Sequence, residues 1–286
     1  IGLQIGPLVI TEGIFIPLFI VAWGILFSNK KRPLYVFVYY FMLALTVIMY
    51  SLSIKMVILF TVISFCQFFF SYYSKREKWL VFAGAIILFT LWFTQVAMKS
   101  ENIMLRFKAF INPEAYADTA GYIILLIQNI RQAAGWSGNA QLVELPSSYT
   151  DFALVSILQG LGYGGVLVVV IVLFSLLVKL MWNSWMTKQR FAKQLVVGTS
   201  MYYGFVLLYI VAMLFGFVPL SGLGVPFVSY DFTDLLVCAI LIGFVLSVYR
   251  RKSLAERMQI PKGPQQDAVD VLLTVVREEK ELLGET

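Results

Sequence analysis

The 286-residue sequence contains no histidine. The side chain that most often acts as a general base near neutral pH, and most often binds metals, is therefore absent. Only two cysteines occur, Cys66 and Cys238, and both lie inside apolar runs. We expect them to pack as small apolar side chains, with no disulfide and no metal role.

Charged residues are also scarce. They make up 13% of the chain, whereas hydrophobic residues make up 60%; a soluble domain carries about a quarter charged residues. The apolar residues form runs of roughly 17 to 25, long enough to cross about 30 Å of hydrocarbon as helix. Because backbone groups in lipid must be hydrogen-bonded within the segment or in a closed barrel, such runs predict an all-α, polytopic transmembrane helix bundle.

Seven spans are predicted from these runs. In chain order they are Pro7–Phe27, Leu34–Tyr50, Ile54–Tyr73, Trp79–Met98, Phe152–Trp182, Leu195–Phe217 and Thr233–Tyr249. The fifth is longer than a span requires and contains several glycines, Gly160, Gly162, Gly164 and Gly165. These glycines predict a bend or a close helix contact within that span.

The net charge of +6 does not indicate a nucleic-acid partner, because the basic residues form no patch interleaved with aromatics. They form short clusters after the first, third, fifth and seventh spans, at Lys30–Arg32, Lys75–Lys78, Lys188–Lys193 and Arg250–Lys252. Seven crossings place all four clusters on one side, which the positive-inside rule makes cytoplasmic. The N-terminus is then predicted outside and the C-terminus inside.

This topology divides the chain into four parts. Residues 1–98 carry four spans, and residues 99–150 form a large extracytoplasmic loop with an interfacial helix at Gly121–Gln132. Residues 151–249 carry three spans and an outer Gly/Pro-rich loop at 217–230, and residues 250–286 form a cytoplasmic tail with an amphipathic helix around Asp267–Leu283. A connection of about fifty residues is far longer than usual, so we expect it to be functional.

Asp151 is the main candidate for chemistry. A Thr-Asp pair before an apolar run is typical of a helix N-cap, where the helix dipole also favours a carboxylate. The functional alternative is a general base at the mouth of a cavity. The guanidinium of Arg106 suits bidentate phosphate binding, or it snorkels to the interface.

Other polar or aromatic residues near the span ends have simpler interpretations. Lys55 and Lys179 are interpreted as snorkelling side chains. Trp136 is interpreted as an interfacial anchor rather than a stacking platform. Glu12, just inside the first predicted span, is costly there unless it is paired or faces water.

Taken in order, the outer motifs resemble the SEDS family, which includes FtsW, RodA and SpoVE. They are Arg106…Phe110-Ile-Asn-Pro113, Gly121-Tyr122, Gly135-Trp-Ser-Gly138, Leu145-Pro146…Thr150-Asp-Phe152, Leu161-Gly162…Gly165 and Gly216-Phe-Val-Pro219…Ser221-Gly222…Pro226-Phe227…Ser229-Tyr230. The match in order and spacing covers about Arg106–Tyr230; earlier residues match mainly in topology. Family members have ten spans, so the seven here would be the last seven, with N-terminal spans missing.

The resemblance implies a peptidoglycan glycosyltransferase in the bacterial cytoplasmic membrane, serving division, elongation or sporulation. It would polymerise lipid II or a similar polyprenyl-linked sugar at the outer face, beside a class B penicillin-binding protein and membrane lipids. Asp151 would be the catalytic base that deprotonates the acceptor sugar's 4-hydroxyl. The expected substrate-binding residues are Arg106, for the pyrophosphate, and Thr150, Trp136, Ser221, Ser229, Tyr230 and Glu12. The need for a divalent cation, Mg²⁺ or Mn²⁺, is left open.

Several positions depart from the family pattern. The family's Leu-Pro-Glu is Leu-Pro-Ser147 here, its His before Thr-Asp is Tyr149, and the Gly-Gly after Ser-Tyr is Asp231-Phe232. These departures motivate a second hypothesis, a non-catalytic SEDS-like scaffold for a class B penicillin-binding protein. A transporter of lipid-linked substrates ranks last, because few polar residues lie at mid-membrane depth.

Overall fold

The computed structural model describes residues 3–5, 8–10, 12–28, 35–42, 54–71, 73–92, 94, 101–138, 143–187 and 189–258. Nine helices lie in these ranges: α1 Phe15–Ser28, α2 at residues 35–42, α3 Ile54–Phe69, α4 Lys75–Trp92, α5 Glu101–Ile111, α6 Gly121–Ala133, α7 Ala153–Met186, α8 Arg190–Leu214 and α9 Phe232–Met258. Residues 247–286 form a second compact unit, described as far as residue 258. The predicted tail helix around Asp267–Leu283 lies outside the described residues.

The first helix begins later than predicted. Residues Leu3–Ile5 (β1) and Leu8–Ile10 (β2) form a short antiparallel hairpin, and a 3-10 turn at Glu12–Ile14 precedes α1. The prediction of a span beginning at Pro7 is therefore wrong. The β-branched residues in this apolar run favour extended backbone, and here they pair across the hairpin.

By length and composition, three helices in the described part of the chain can cross a membrane: α7, α8 and residues Phe232–Arg250 of α9. Helices α1 and α3 are shorter apolar helices. The seven spans and the orientation of the termini remain predictions. For the second predicted span, Leu34–Tyr50, the structure describes helix at residues 35–42 only.

The core is built around α8, which packs against α1, α3 and α7. Gln67 of α3 lies inside this junction, and its Nε2 donates hydrogen bonds to the backbone oxygens of Ile20 (3.2 Å) and Gln194 (3.0 Å). Gly198 of α8 leaves room for this amide, since a Cβ there would lie 2.7 Å from Gln67 Nε2. Helices α1, α3 and α8 are thus held in a fixed register at mid-core.

The long connection between α4 and α7 contains two helices, α5 and α6, joined by a 3-10 turn at Glu114–Tyr116. The predicted helix Gly121–Gln132 is confirmed as α6. The sequence prediction missed α5, because its charged residues Glu101, Arg106 and Lys108 interrupt the apolar pattern. Arg106 therefore stands on a helix, not on a loop.

The predicted bend in the fifth span is confirmed at Gly162, whose φ of 68° breaks the helical backbone of α7. The loop at residues 135–138 fills the break. The amides of Tyr163 and Gly164 donate to the backbone oxygens of Gly135 and Trp136, both at 3.1 Å. This contact fixes the first turns of α7, and with them the residues just before the helix.

Candidate functional site

Asp151 lies in a tight run of turns before α7. The amides of Thr150 and Phe152 both donate to the backbone oxygen of Ser147, at 3.1 and 3.2 Å. One helical turn into α7, the hydroxyl of Ser156 donates to the backbone oxygen of Ser148 at 2.8 Å. The turn is therefore tied both to itself and to the helix, and Asp151 is held at the helix entrance.

The N-cap interpretation of Asp151 is wrong. The N-cap of α7 is Phe152, and no side chain caps it. The carboxylate of Asp151 instead lies against the loop before α9, where a Cβ on Gly222 would be 2.9 Å from Asp151 Oδ2. Gly222 also has a φ of 61°, a conformation that favours glycine. A glycine at this position thus permits the close approach of loop and carboxylate.

The second residue of α3, Lys55, reaches the same turn. Its Nζ donates a hydrogen bond of 2.9 Å to the backbone oxygen of Gly222. The snorkelling interpretation of Lys55 is therefore wrong, because the ammonium group is bound within the protein. Sequence reasoning missed this residue; an available signal was a lysine that opens an apolar helix predicted to begin on the same side as Asp151.

The charges around Asp151 act in opposite directions on its pKa. Burial raises the pKa of the Asp151 carboxyl and is the largest effect. The positive charges of Lys55 and Arg106 lower it, and the negative charge of Asp231 raises it. The net result is a raised pKa, which makes the carboxylate a stronger base than an ordinary aspartate.

Two further carboxylates, neither foreseen as a site residue, lie at the start of α9. Asp231 Oδ1 accepts a hydrogen bond of 3.1 Å from the amide of Asp234, so Asp231 caps that helix. A Cβ on Gly224 would lie 2.9 Å from Asp234 Oδ2, and Asp234 interacts electrostatically with Lys55 and Asp151. The turn at 222–224 therefore passes between two carboxylates, with Lys55 bound to it.

Three of the predicted substrate-binding residues join the two loops at this site. Ser229, which is buried, donates from its hydroxyl to the backbone oxygen of Thr150 at 2.9 Å. The amide of Tyr230 donates to the backbone oxygen of Tyr149 at 2.7 Å, while the Tyr230 side chain is 83% exposed. The structure thus places Ser229 and Thr150 in the framework that holds Asp151, and it leaves the Tyr230 ring exposed.

The other four predicted substrate-binding residues lie in separate segments of the chain. Ser221 adjoins Gly222, with its hydroxyl oxygen buried, and Arg106 is exposed on α5, within electrostatic reach of Asp151. Trp136 is 76% exposed and belongs to the loop at the break in α7. For Glu12 the structure describes only its backbone, in the 3-10 turn before α1.

A metal site is not visible in the described ranges. No group of three or more acidic or cysteine side chains among those residues has the arrangement that would hold an ion. The divalent cation that the sequence left open remains a prediction.

The arrangement of these loops on a helix bundle has counterparts among known proteins. The model of the FtsW/RodA/SpoVE family, described as cell cycle proteins, matches residues 14–254. The chain belongs to this family. The match includes the turn with Asp151, the loop with Gly222 and the helix with Lys55.

Among curated proteins, the FtsW/RodA/SpoVE chain is 29% identical over 180 residues to a protein of Trichlorobacter lovleyi named probable peptidoglycan glycosyltransferase FtsW. That match covers 58% of the chain and 47% of the relative. The chain is also 24% identical over 187 residues to the peptidoglycan glycosyltransferase RodA of Mycobacterium bovis, in a match that covers 61% of the chain and 38% of the relative. The chain therefore spans about half the length, or less, of the curated relatives it matches.

A solved structure shares the fold of this FtsW/RodA/SpoVE chain. The match has a TM-score of 0.70 at 17% identity and covers 87% of this chain and 73% of the other. That structure concerns the structural coordination of polymerization and crosslinking by a peptidoglycan synthase complex. At this identity the likeness establishes the fold alone.

Proposed function

We propose that this FtsW/RodA/SpoVE protein is a peptidoglycan glycosyltransferase that polymerises lipid II, or a similar polyprenyl-linked sugar, at the outer face of the bacterial cytoplasmic membrane. A single observation supports it best. The Asp151 carboxyl, its pKa raised by burial, lies against the Gly222 turn that Lys55 binds. A carboxylate prepared in this way is suited to accept a proton from a sugar hydroxyl.

In the proposed step, the 4-hydroxyl oxygen of the acceptor sugar attacks the anomeric carbon of the donor sugar. A new carbon–oxygen bond forms as the bond from that carbon to the diphosphate breaks, and the electron pair leaves on the polyprenyl diphosphate. The hydroxyl proton passes to Asp151, which later returns it to water. Proton transfer to a positioned base of this kind contributes about 10²- to 10⁴-fold in rate.

The neighbouring groups have supporting roles in this proposal. Lys55 binds the Gly222 turn and counters the negative charges of Asp151 and Asp234. Arg106, which is exposed and acts electrostatically on Asp151, is proposed to bind the negative diphosphate of an incoming lipid. A class B penicillin-binding protein is the proposed partner, as the family resemblance implies.

The test is polymerisation of lipid II by the purified protein with its partner, comparing the wild type with Asp151→Asn. Asp118→Asn is a matched control, because Asp118 is an exposed aspartate on the turn between α5 and α6 and is not among the charges that act on Asp151. Glycan polymer from the wild type and from Asp118→Asn, but not from Asp151→Asn, is the expected result. Polymer of equal length and yield from all three proteins would remove Asp151 from the chemistry.

The scaffold hypothesis remains the alternative. The observation in its favour concerns Ser147 and Tyr149, which stand at two departures from the family pattern. In the described contacts, both residues support the site through their backbone oxygens and not through their side chains. A cell that requires the gene yet grows normally with Asp151→Ala would support a scaffold over an enzyme.

A further inference from the structure

The turn formed by Gly222, Leu223 and Gly224 is held by side chains rather than by its own backbone. Among the described residues, no backbone–backbone hydrogen bond involves residues 220–224. The backbone oxygen of Gly222 accepts the 2.9 Å hydrogen bond from Lys55 Nζ. Gly224 is buried, and its backbone amide donates a hydrogen bond to the carboxylate of Asp234. Two side chains of opposite charge therefore hold the two ends of one short turn.

The start of α9 places Asp234 for this contact. Asp234 is the third residue of the helix, and its own amide donates to Asp231 Oδ1 at 3.1 Å. Asp231 stands where the sequence departs from the family pattern, in place of a glycine. Its cap fixes the first turn of the helix, and with it the direction from which the Asp234 carboxylate meets Gly224. The departure at Asp231 thus supports the contact between α9 and the turn.

The turn fits closely between two carboxylates. A Cβ on Gly224 would lie 2.5 Å from Ser229 Oγ and 2.9 Å from Asp234 Oδ2. At the other end of the turn, a Cβ on Gly222 would lie 2.9 Å from Asp151 Oδ2. The three residues of the turn therefore connect Asp234 on one side to Asp151 on the other. A shift of the turn at Gly224 changes the surface against which the Asp151 carboxylate lies.

We propose that Asp234 is a positioning residue for the base Asp151 and acts through the Gly222–Gly224 turn, an inference that rests on the proposed function. Asp234 holds the amide of Gly224, while Lys55 holds the carbonyl of Gly222. A hydrogen bond from an amide to a carboxylate is charge-assisted and stronger than one between neutral groups. A base must stay within hydrogen-bond reach of the hydroxyl that it deprotonates. A misplacement of about 1 Å costs up to about 10²-fold in rate.

The kinetic test compares Asp234→Leu with Asp234→Asn in lipid II polymerisation, with rates normalised to the folded protein recovered by size exclusion. Leucine removes the charge and the acceptor, whereas asparagine removes the charge and keeps an oxygen for the Gly224 amide. Asp234→Leu is expected to lower kcat by at least about tenfold while the lipid II KM stays within about twofold. Asp234→Asn is expected to recover most of the rate, and Asp118→Asn, an exposed control, keeps it.

An equal loss of kcat in Asp234→Leu and Asp234→Asn overturns the proposal. Both changes remove the negative charge from the first turn of α9, where an acid favours the helix dipole. Equal losses would therefore assign the effect to charge or to helix stability. Recovery by asparagine assigns it to the hydrogen bond with Gly224.

Gly224→Ala tests the same contact from the side of the turn, because its Cβ would meet Ser229 Oγ and Asp234 Oδ2. Asp234→Leu and Gly224→Ala both break one contact, so the double variant is expected to be no slower than the slower single variant. Rate losses that multiply in the double variant overturn the proposal, because they show independent effects. Gly84→Ala, at an open position on α4, is the matched control and keeps the wild-type rate.

Hydrogen exchange separates this inference from the proposed function, because it needs no substrate. In nanodiscs, the amides of residues 219–230 are expected to exchange faster in Asp234→Leu than in the wild type, whereas Asp234→Asn and Asp118→Asn keep wild-type exchange. If the wild type makes no polymer, faster exchange in Asp234→Leu still supports the hold of Asp234 on the turn and counts against the function alone. If the wild type polymerises lipid II, unchanged exchange and kcat in Asp234→Leu overturn the inference and leave the function standing.

Discussion

Replacing Lys55 with methionine removes the positive charge that contacts the Gly222 turn and leaves an unbranched side chain that is one atom shorter. The hydrogen bond from Lys55 Nζ to the Gly222 backbone oxygen is lost, and so is a charge that lowers the pKa of Asp151. Burial and Asp231 already raise that pKa. Lys55→Met therefore moves the pKa of Asp151 further upward.

The expected direction of this change follows from one nearby charge. An opposite charge near a carboxyl group favours its charged form and lowers its pKa, so removing that charge raises the pKa. A base works only when deprotonated, so the activity of the wild type falls as the pH drops through the raised pKa of Asp151. In Lys55→Met the acid limb of the pH profile is expected to lie at higher pH than in the wild type. Loss of the charged hydrogen bond also lowers the free energy of unfolding by about 1.5 kcal/mol.

The assay is the initial rate of lipid II polymerisation between about pH 4 and 9, a range that begins near the pKa of an ordinary aspartate. Lys55→Arg keeps the charge and is expected to keep the wild-type acid limb. Lys179→Met removes an exposed lysine far along α7 and serves as the control. An acid limb in Lys55→Met that coincides with the wild-type limb would refute the electrostatic coupling of Lys55 to Asp151.

Three further changes test the framework around the site. Gly222→Ala places a Cβ 2.9 Å from Asp151 Oδ2 at a φ of 61°. We therefore expect the free energy of unfolding, measured in a thermal melt, to fall by about 1 to 2 kcal/mol and polymerase activity to be lost. Unchanged melting and activity would contradict the close approach. Gly162→Ala strains the break in α7 and should lower the melting temperature, whereas Gly84→Ala, at an open position on α4, should not. Thr199→Val replaces a buried hydroxyl without a partner among the described residues and is expected to stabilise the protein by about 1 kcal/mol in a denaturant titration; destabilisation would show that Thr199 has a partner.

The fold class and several local features were predictable from the sequence because they depend on neighbouring residues in the chain. The apolar runs predicted helices, the glycines of the fifth span predicted the break at Gly162, and the amphipathic pattern predicted α6. The position of Asp151 before a long apolar helix was also predicted. The prediction that Asp151 is the N-cap was wrong, because its carboxylate lies against a loop about seventy residues later in the chain.

The rest of the site depends on contacts between distant residues. Lys55 and Gly222 are 167 residues apart and meet only in the folded bundle. Ser229 and Thr150, which join the two loops of the site, are likewise 79 residues apart in the chain. Tertiary contacts of this kind leave no periodic signal in one sequence.

The proposed role of Asp151 as general base is tested most directly by the turnover rate of lipid II polymerisation in Asp151→Asn, measured with saturating substrate and the partner protein. Asparagine keeps the size of the side chain and removes its basicity. The proposed role predicts a fall of at least about 10²-fold relative to the wild type. A rate within a few-fold of the wild type would contradict it.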